Sequence, residues 1–594
     1  MKETLEKIIF ETIIKVLNQE KLSITINQSQ VKLEKISNAT FGDFSTNIGM
    51  VLKLDCNVID KIINQLQTNE VVKTFIEKIE FKQPGFLNFY VKTEFLLNNL
   101  KTIVNLNKKQ FFTTNRKSFL IEHTSPNTNK ALHIGHLRNS VLAMAIIRIL
   151  RALNHKVTAD CLFNDRGVHI CKAMLGYLRF NDQVTDIKDL LNQWTKQPSK
   201  WPQPIADEPK DAFIGKYYIW GNKLEKEEKY KEELQWLLRE WENNHKQVRK
   251  LWKKLNDWFY EGFSQIFKII NSQVDHYWYE SKFYNKAKNL LKAGVKKGVF
   301  KTLEDGAILT QLQAYNLTDT IIQRSDGTAM YFTQDIYLTK MKTSQFICDQ
   351  YLWVVGPEQK LHMQQVFAVC DQLQIGNKDK FKHLSYGAVC NKDGSKMSSR
   401  SGEVLSVVEL LQEVVTAINN KMGTDYQSLK NFNKKDQEHI INQLALGSIK
   451  YAMLKLEREQ DLKFDINEAI DFRGNGGPYI QYTYARCCSL LNKTKPNLSN
   501  QDELNSQLSS EEKLLLRHML YFKEALTKSG ENLMPHILAT YLFELAKYFS
   551  SFYEKNRIID AEQNQKLRID MTKGVANILK WGLELLGIEV MAKL

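Results

Sequence analysis

Apolar positions along residues 118–163 alternate between short blocks and a longer run at helical spacing. Ser118-Phe119-Leu120-Ile121-Glu122 is an apolar block of strand length. Ser140 through Leu153 is apolar at helical spacing and holds neither Gly nor Pro. Between them Pro126, Asn127 and Asn129 supply turn chemistry, so this stretch is predicted as strand, turn, helix. Lys156–Phe163 is a second strand, and a β-α-β opening argues for a doubly wound parallel sheet. The alternation then stops. Residues from about 185 to 290 are charged and rich in tryptophan, as in Glu232 to Trp241, and predict a helical insertion between two half-sheets. Tyr351-Leu352-Trp353-Val354-Val355 resumes the strand–turn–helix layout, and His383–Val389 is a further strand. From about residue 404 the pattern is nearly all helical. Residues 1 to about 110 form a small α/β module. It has a helix at Glu3–Gln19, a Gly-centred turn with a helical run over Asn38–Asn47, and a turn into a strand at Pro84–Val91.

Composition narrows the class. A chain of 594 residues with 43% hydrophobic content has enough apolar side chains for several cores. The net charge of +15 suits a polyanionic partner, although lysines that merely solvate helix faces give the same total. No run approaches the roughly 20 apolar residues of a membrane span, and Met1–Glu6 has no secretory pattern. The eight cysteines are scattered with no C-x-x-C, so neither a disulfide framework nor a zinc site is indicated, and a reduced cytoplasmic protein is expected.

Candidate chemistry sits at the ends of these elements. His133-Ile134-Gly135-His136 falls where the first long helix begins, and a helix N-terminus attracts phosphate through its unpaired N–H groups and dipole. Histidines there can add hydrogen bonds or positive charge, and Gly135 leaves room for a flat base against the backbone. Asn164-Asp165-Arg166-Gly167 follows the second strand at its C-terminal end, where open α/β sheets hold ligands. Tyr331 and Asp335, four apart on a predicted helix, share a face, and a carboxylate beside a phenol suits a planar guanidinium. Gln359 and His362 lie one turn apart after the Tyr351 strand. Asn391 to Gly402 is a basic loop of small residues, suited to closing on a triphosphate.

The string from Glu122-His123-Thr124-Ser125-Pro126-Asn127 to His136-Leu137-Arg138 resembles the nucleotide-binding signature of class I aminoacyl-tRNA synthetases, and the Ser-Pro-Asn that of arginyl-tRNA synthetases. Lys396-Met397-Ser398 matches the start of the second class I signature, Lys-Met-Ser-Lys-Ser, but Ser399 stands where the second lysine is usual. Many arginyl-tRNA synthetases share that loss and hold a lysine just before the first histidine, which here is Lys130. The resemblance implies a multidomain α/β chain. Residues 1–110 would be an additional tRNA-binding domain. Residues 111–403 would be a class I Rossmann-like parallel-sheet catalytic domain with the helical insertion at about 185–290. Residues 404–594 would be an all-α stem and anticodon-binding bundle, opening near Gly474–Tyr484.

The activity implied is ATP-dependent ligation of L-arginine to tRNA(Arg) through arginyl-adenylate, by a monomer with Mg2+ on its ATP, no structural metal, and activation that needs tRNA. The resemblance puts His133, His136, Lys130 and Lys396 on the phosphates, and Gly135, His362, Met397 and Ser398 around ATP. It puts Glu122, Ser125, Asn127, Tyr331, Asp335, Gln359 and Glu280 around arginine. Two rivals are a class I ligase for another amino acid, such as the cysteinyl type, and a non-catalytic RNA-binding relative. The lack of a zinc cluster and the Tyr331/Asp335 pair oppose the first; the intact histidines and Lys130 oppose the second.

Overall fold

A computed structural model describes residues 1–594 except 37–40, 182–184, 207, 327–329, 396, 398–403, 422–426 and 495–506. At its centre is a five-stranded sheet built from β1 (Ser118–Glu122), β2 (Lys156–Phe163), β3 (His276–Tyr279), β4 (Gln350–Val354) and β5 (Phe381–Leu384). Their order is β5-β4-β1-β2-β3, and all four pairings are parallel. The chain moves outward from β1 through β2 to β3, then returns to the other side of β1 for β4 and β5. The order therefore reverses between β1 and β4, and a crevice opens there beyond the carboxyl ends of the strands. β1 and β2 match the predicted strands residue for residue, because both are apolar blocks buried on two faces.

Helix α1 (Ile134–Ala152) crosses from β1 to β2, buried over most of its surface. Helix α2 (Val168–Leu178) follows β2, and the predicted insertion follows as α3 (Ile187–Lys196), α4 (Lys210–Leu224), α5 (Glu228–Glu242) and α6 (Lys246–Ile269). One part differs from expectation. Residues 276–279, placed within the helical insertion, are the edge strand β3, paired with β2 over Asp160–Phe163. Four residues rich in aromatics fit a sheet edge better than a helix interior. Between β3 and helix α7 (Tyr331–Gln345) lie a helix, Tyr284–Lys296, and a small antiparallel sheet over residues 300–323 that the hydrophobic pattern left unread. Helix α8 (Lys360–Gln372) follows β4, and the run His383–Val389 divides into the end of β5 and a separate short strand, Val389–Cys390.

The helical remainder begins with α9 (Val407–Asn420) and ends in a bundle of long helices including Gly477–Asn492, Pro535–Lys555 and Gln565–Leu585. In the N-terminal module the helix spans Lys2–Gln19 and the last strand Phe86–Val91. Gly42 turns with φ +100° as expected, but Phe44–Thr46 is a strand, and the helix begins only at Ile48. Residues 38–40 of that motif lie outside the described residues. The module docks on the bundle through an Asp43–Arg517 ion pair and an Arg517 bond to the Gly42 carbonyl.

One buried cation joins the sheet to the stem. Arg138 on α1 is 0% exposed, and its guanidinium donates to the carbonyls of Ala388 at 2.7 Å and Gln460 at 2.5 Å. Those carbonyls flank the pairing of Val389–Cys390 with Leu462–Lys463, so α1, the strand before the Lys396 loop and the stem meet on one side chain. Arg138→Met leaves these buried acceptors unpaired. It is expected to cost about 3 kcal/mol, read as a lowered thermal midpoint against wild type with the fold retained by circular dichroism.

Candidate functional site

The crevice between β1 and β4 is a cleft of 620 Å³. Its walls come from the carboxyl ends of three strands (Glu122, Leu162, Asn164, Trp353, Val355), from α7, and from the turn and first residues of α8. Helix α7 offers Tyr331, Gln334, Asp335, Leu338 and Thr339, the i, i+3, i+4, i+7, i+8 stripe of one helix face. Glu122, Ser125, Asn127, Glu280, Tyr331, Asp335, Gln359 and His362, eight residues singled out from the sequence, all line this one cleft. Lys130, His133, Gly135 and His136 lie outside its lining, at the start of α1. Met397 is described and buried; Lys396 and Ser398 lie outside the described residues.

At the floor, Glu122, the last residue of β1, and Asp160, three residues before the end of β2, sit side by side in register, both buried. Two adjacent buried carboxylates repel and lose hydration. Lys342 of α7, 1% exposed, lies between them at 2.6 Å from Glu122 Oε2 and 2.5 Å from Asp160 Oδ2. Trp278 adds its indole N–H to Asp160 at 2.7 Å. Burial pushes the Asp160 carboxyl up and the ammonium opposes it, while the two carboxylates hold the Lys342 ammonium in its charged form. Glu122's other oxygen accepts the Ser125 hydroxyl at 2.7 Å. Both Glu122 oxygens are therefore engaged within the protein. The turn that follows is tightly wound, with Thr124 at φ +65° and Ser125 at φ +37°. It is held by Asn139, which accepts the Thr124 N–H at 2.6 Å and donates to the Val354 carbonyl of β4 at 2.5 Å.

The opposite wall carries less neutralised acid. Asp335 Oδ2 and His362 Nε2 are 2.6 Å apart, so His362, expected near ATP, shares the acidic end of the cleft. Glu280 is buried with Oε2 unpartnered among the described residues, while Oε1 lies 3.6 Å from Arg166 Nη1. Burial pushes its carboxyl up to about 7, Arg166 pulls it down, and Asp165 and Asp335 add to the rise. Arg166 also bonds Glu242 at 2.9 Å and lies over the Tyr284 ring. Burial and the Glu280 charge push the Tyr331 phenol up.

At the start of α1 the two histidines cap the helix. His133 is the N-cap, its Nδ1 accepting the Gly135 N–H at 3.2 Å, while His136 Nδ1 accepts the His133 N–H at 3.3 Å. An accepting Nδ1 is unprotonated, so each neutral ring carries its proton on Nε2 and offers an Nε2–H donor. Burial, then the nearby Lys130 charge, lowers His133 to about 4. Burial, His133 and Lys130 hold His136 well below its usual value. Both rings are neutral at neutral pH, donors rather than cations. A Cβ at Gly135 would meet the His133 ring at 3.1 Å, so the glycine makes room for that capping ring as well as for any base.

Lys342, Asn139 and His169 also build this site and escaped the sequence reading, while Arg166 joins it from the Asn164–Gly167 turn already read as a ligand edge. A signal existed for Lys342, which continues the α7 stripe at i+11 from Tyr331. None existed for Arg166 beyond its place after β2.

Three family models match successive parts of the chain. Residues 99–466 match the family model for tRNA synthetases class I (R), catalytic domain. Residues 480–594 match the DALR anticodon binding domain and residues 3–91 the arginyl tRNA synthetase N terminal domain. The arginine–tRNA ligase of Borreliella afzelii (strain PKo) is 33% identical over 596 residues, covering 96% of each chain. Among solved structures, Thermus thermophilus arginyl-tRNA synthetase matches with TM-score 0.77 at 23% identity over 100% of both chains. Arginyl-tRNA synthetase from Plasmodium falciparum matches with TM-score 0.77 at 21% identity, covering 100% of this chain and 99% of that one.

The histidine cap predicts a pH dependence. Unfolded, His133 takes up a proton near 6.5; folded, it does so only near 4. Its contribution to stability is whole above 6.5 and is lost as pH falls from there to 4. His133→Asn keeps an N-cap acceptor without the titration. Urea midpoints should therefore fall more between about pH 7 and about pH 5 for wild type than for His133→Asn.

Proposed function

This chain belongs to the arginyl-tRNA synthetases, and we propose that the cleft between β1 and β4 is where it activates arginine. The chain is an arginine–tRNA ligase with ATP as its second substrate and tRNA as its third. In the proposed pathway the arginine carboxylate attacks the α-phosphorus of ATP, the bond to the β-phosphate oxygen breaks, and diphosphate leaves. The terminal ribose hydroxyl of tRNA(Arg) then attacks the arginyl carbonyl, and AMP leaves. No enzyme nucleophile takes part, so rate enhancement comes from positioning and from stabilising phosphate charge. Mg2+ enters with ATP as part of that substrate.

The observation that carries the arginine pocket is the placement of Asp335, Glu280 and Tyr331 in one cleft whose floor carboxylate, Glu122, is already matched by Lys342. Asp335, which also contacts His362, and Glu280, whose Oε2 has no partner among the described residues, are the carboxyl groups offered to a guanidinium, with Tyr331 beside them. Glu122 acts through Ser125 rather than by touching the guanidinium. Ser125, Asn127 and Gln359 face the amino-acid main chain. The Nε2–H groups of His133 and His136, the N–H groups at the start of α1, and Lys130 take the phosphates, with Lys396, Met397 and Ser398 closing over ATP. Residues 1–110 and 404–594 then hold the tRNA away from the cleft.

Diphosphate release from ATP tests the substrate, run with each standard amino acid and with and without tRNA. Release with arginine is expected; release with another amino acid overturns the pocket. Within that assay Asp335→Asn should lower kcat/KM for arginine by roughly 100-fold, the loss of a charge-assisted guanidinium contact, with KM for ATP little changed. Glu280 adds a pH dependence. Its carboxyl at about 7 is neutral below that value and charged above it. KM for arginine should fall as pH rises from about 6 to about 8, and Glu280→Gln should flatten that dependence.

A further inference from the structure

Asp211 is a buried acid that the proposed pathway does not use. It lies in the first turn of α4, on the insertion, is 1% exposed, and has no ion-pair partner among the described residues. Burial pushes its carboxyl up. A buried carboxyl without a cation is costly and persists where its hydrogen bond has a use. Asp211 Oδ2 accepts the Leu132 N–H at 3.2 Å, one residue before His133 and two after Lys130.

Leu132 is a junction. Its amide is held from the insertion, while its carbonyl accepts the N–H of Val407, the first residue of α9, at 3.0 Å. Ile134 in turn donates to the Leu405 carbonyl at 3.1 Å, and His133 faces Ser406 across an antiparallel bridge. The turn carrying Lys130 and His133 is thus held from two directions, the insertion on one side and the chain beyond the Lys396 loop on the other.

The insertion side is rigid. A Cβ at Gly176 of α2 would lie 2.0 Å from the Tyr217 carbonyl oxygen, and one at Gly221 of α4 would lie 2.0 Å from the Lys172 carbonyl oxygen. α4 is therefore seated backbone to backbone on α2, which leaves the sheet directly after β2. On α6, Gly262 admits Asp211 equally closely, since a Cβ there would be 2.4 Å from the Asp211 nitrogen. Two insertion helices converge on this one residue.

We propose that Asp211 is a positioning residue for the triphosphate end of the site, setting the place of Lys130 and His133 by holding the Leu132 amide. The proposal rests on the assignment of Lys130 and His133 to the phosphates of ATP. It makes the insertion part of the ATP site at second hand, and it gives a path by which a molecule resting on α4 or α6 shifts the phosphate contacts without touching the arginine pocket.

The test is diphosphate release by the full-length protein with arginine and tRNA, varying ATP at saturating arginine and the reverse. Asp211→Ala is expected to raise KM for ATP roughly fivefold or more, as one buried backbone bond is lost, while KM for arginine stays within about twofold. Asp211→Asn keeps an acceptor for Leu132 and should recover the KM for ATP. Should Asp211→Ala fail to fold, Asp211→Glu, one methylene longer, must show the same split. Equal rises in both KM values, no change in either, or Asn as poor as Ala each overturn the proposal. The wild-type run decides the function separately: release with arginine upholds the reading beneath this proposal, and its absence removes that basis whatever the variants do.

Discussion

The cleft depends on one ammonium group. β1 and β2 run parallel and in register, so the last residue of β1, Glu122, lies against Asp160 of β2, both buried away from solvent. Unmatched, that pair would have to take up protons or move apart. Lys342 removes the conflict, and it does so from α7, the helix whose exposed stripe forms the cleft wall. The ion triad therefore neutralises the floor and also fixes the rotation and height of α7 against the sheet. Tyr331 and Asp335 stand where they do because Lys342, two to three turns further along, is anchored below. Removing one partner of such a buried set costs about 3–5 kcal/mol, far more than a surface pair. The same triad leaves Glu122 with one oxygen for Ser125, which steadies a turn containing two successive non-glycine residues at positive φ. Strain of that kind persists only where its surroundings over-determine it, and here Asn139 supplies the second hold.

A large helical insertion had to be attached without filling the crevice. It leaves after β2 and returns as β3, at the edge of the sheet furthest from the switch point between β1 and β4. Its mass leans on α2 through glycine contacts, which bring backbones closer than any side chain allows. Asp165, at the end of β2, fastens it again by accepting from Ser281 and Tyr260, while its carbonyl takes the Trp252 indole. The Asn164–Gly167 turn is thus a structural hub as much as a ligand edge. Asn164 of this turn lines the cleft, and Arg166 reaches from it toward Glu280.

Much of this was legible in the chain. The apolar block at 118–122, the helical spacing beyond 140 and the block at 156–163 translate directly into β1, α1 and β2, because each is mostly buried and so largely apolar. Tyr331 and Asp335 were legible as a pair because helix periodicity brings i and i+4 together. What stayed hidden depends on contacts between elements distant in sequence. Nothing near residue 342 says that it will meet residues 122 and 160, and nothing near 211 says that it will meet 132. The edge strand β3 was lost because four aromatic residues after a long helix carry no period of their own. The sheet over 300–323 was lost because its three-residue strands are too short to show alternation. The histidines were located by sequence, but their protonation was not. The positive end of the helix dipole disfavours a cationic ring, and burial with the nearby Lys130 charge keeps these rings neutral.

That neutrality bears on how one site sorts two oppositely charged substrates. Arginine brings a cation at one end and a carboxylate at the other, and ATP brings several negative charges. A cleft that was acidic throughout would repel the nucleotide; one that was basic throughout would repel the guanidinium. Here Asp335 and Glu280 are gathered on the α7 and β3 side, while Glu122 on the floor is matched by Lys342. The positive charge at the other end is the exposed Lys130, with the α1 N-terminus and two neutral imidazole donors near it. Charged histidines, packed with ring centroids 3.9 Å apart, would repel each other and Lys130. Neutral ones add directed Nε2–H bonds at no such cost, and these strengthen as charge builds on the phosphate oxygens. In this reading the substrate carboxylate is left between the two poles, beside Ser125, Asn127 and Gln359, which is where attack on the α-phosphorus requires it.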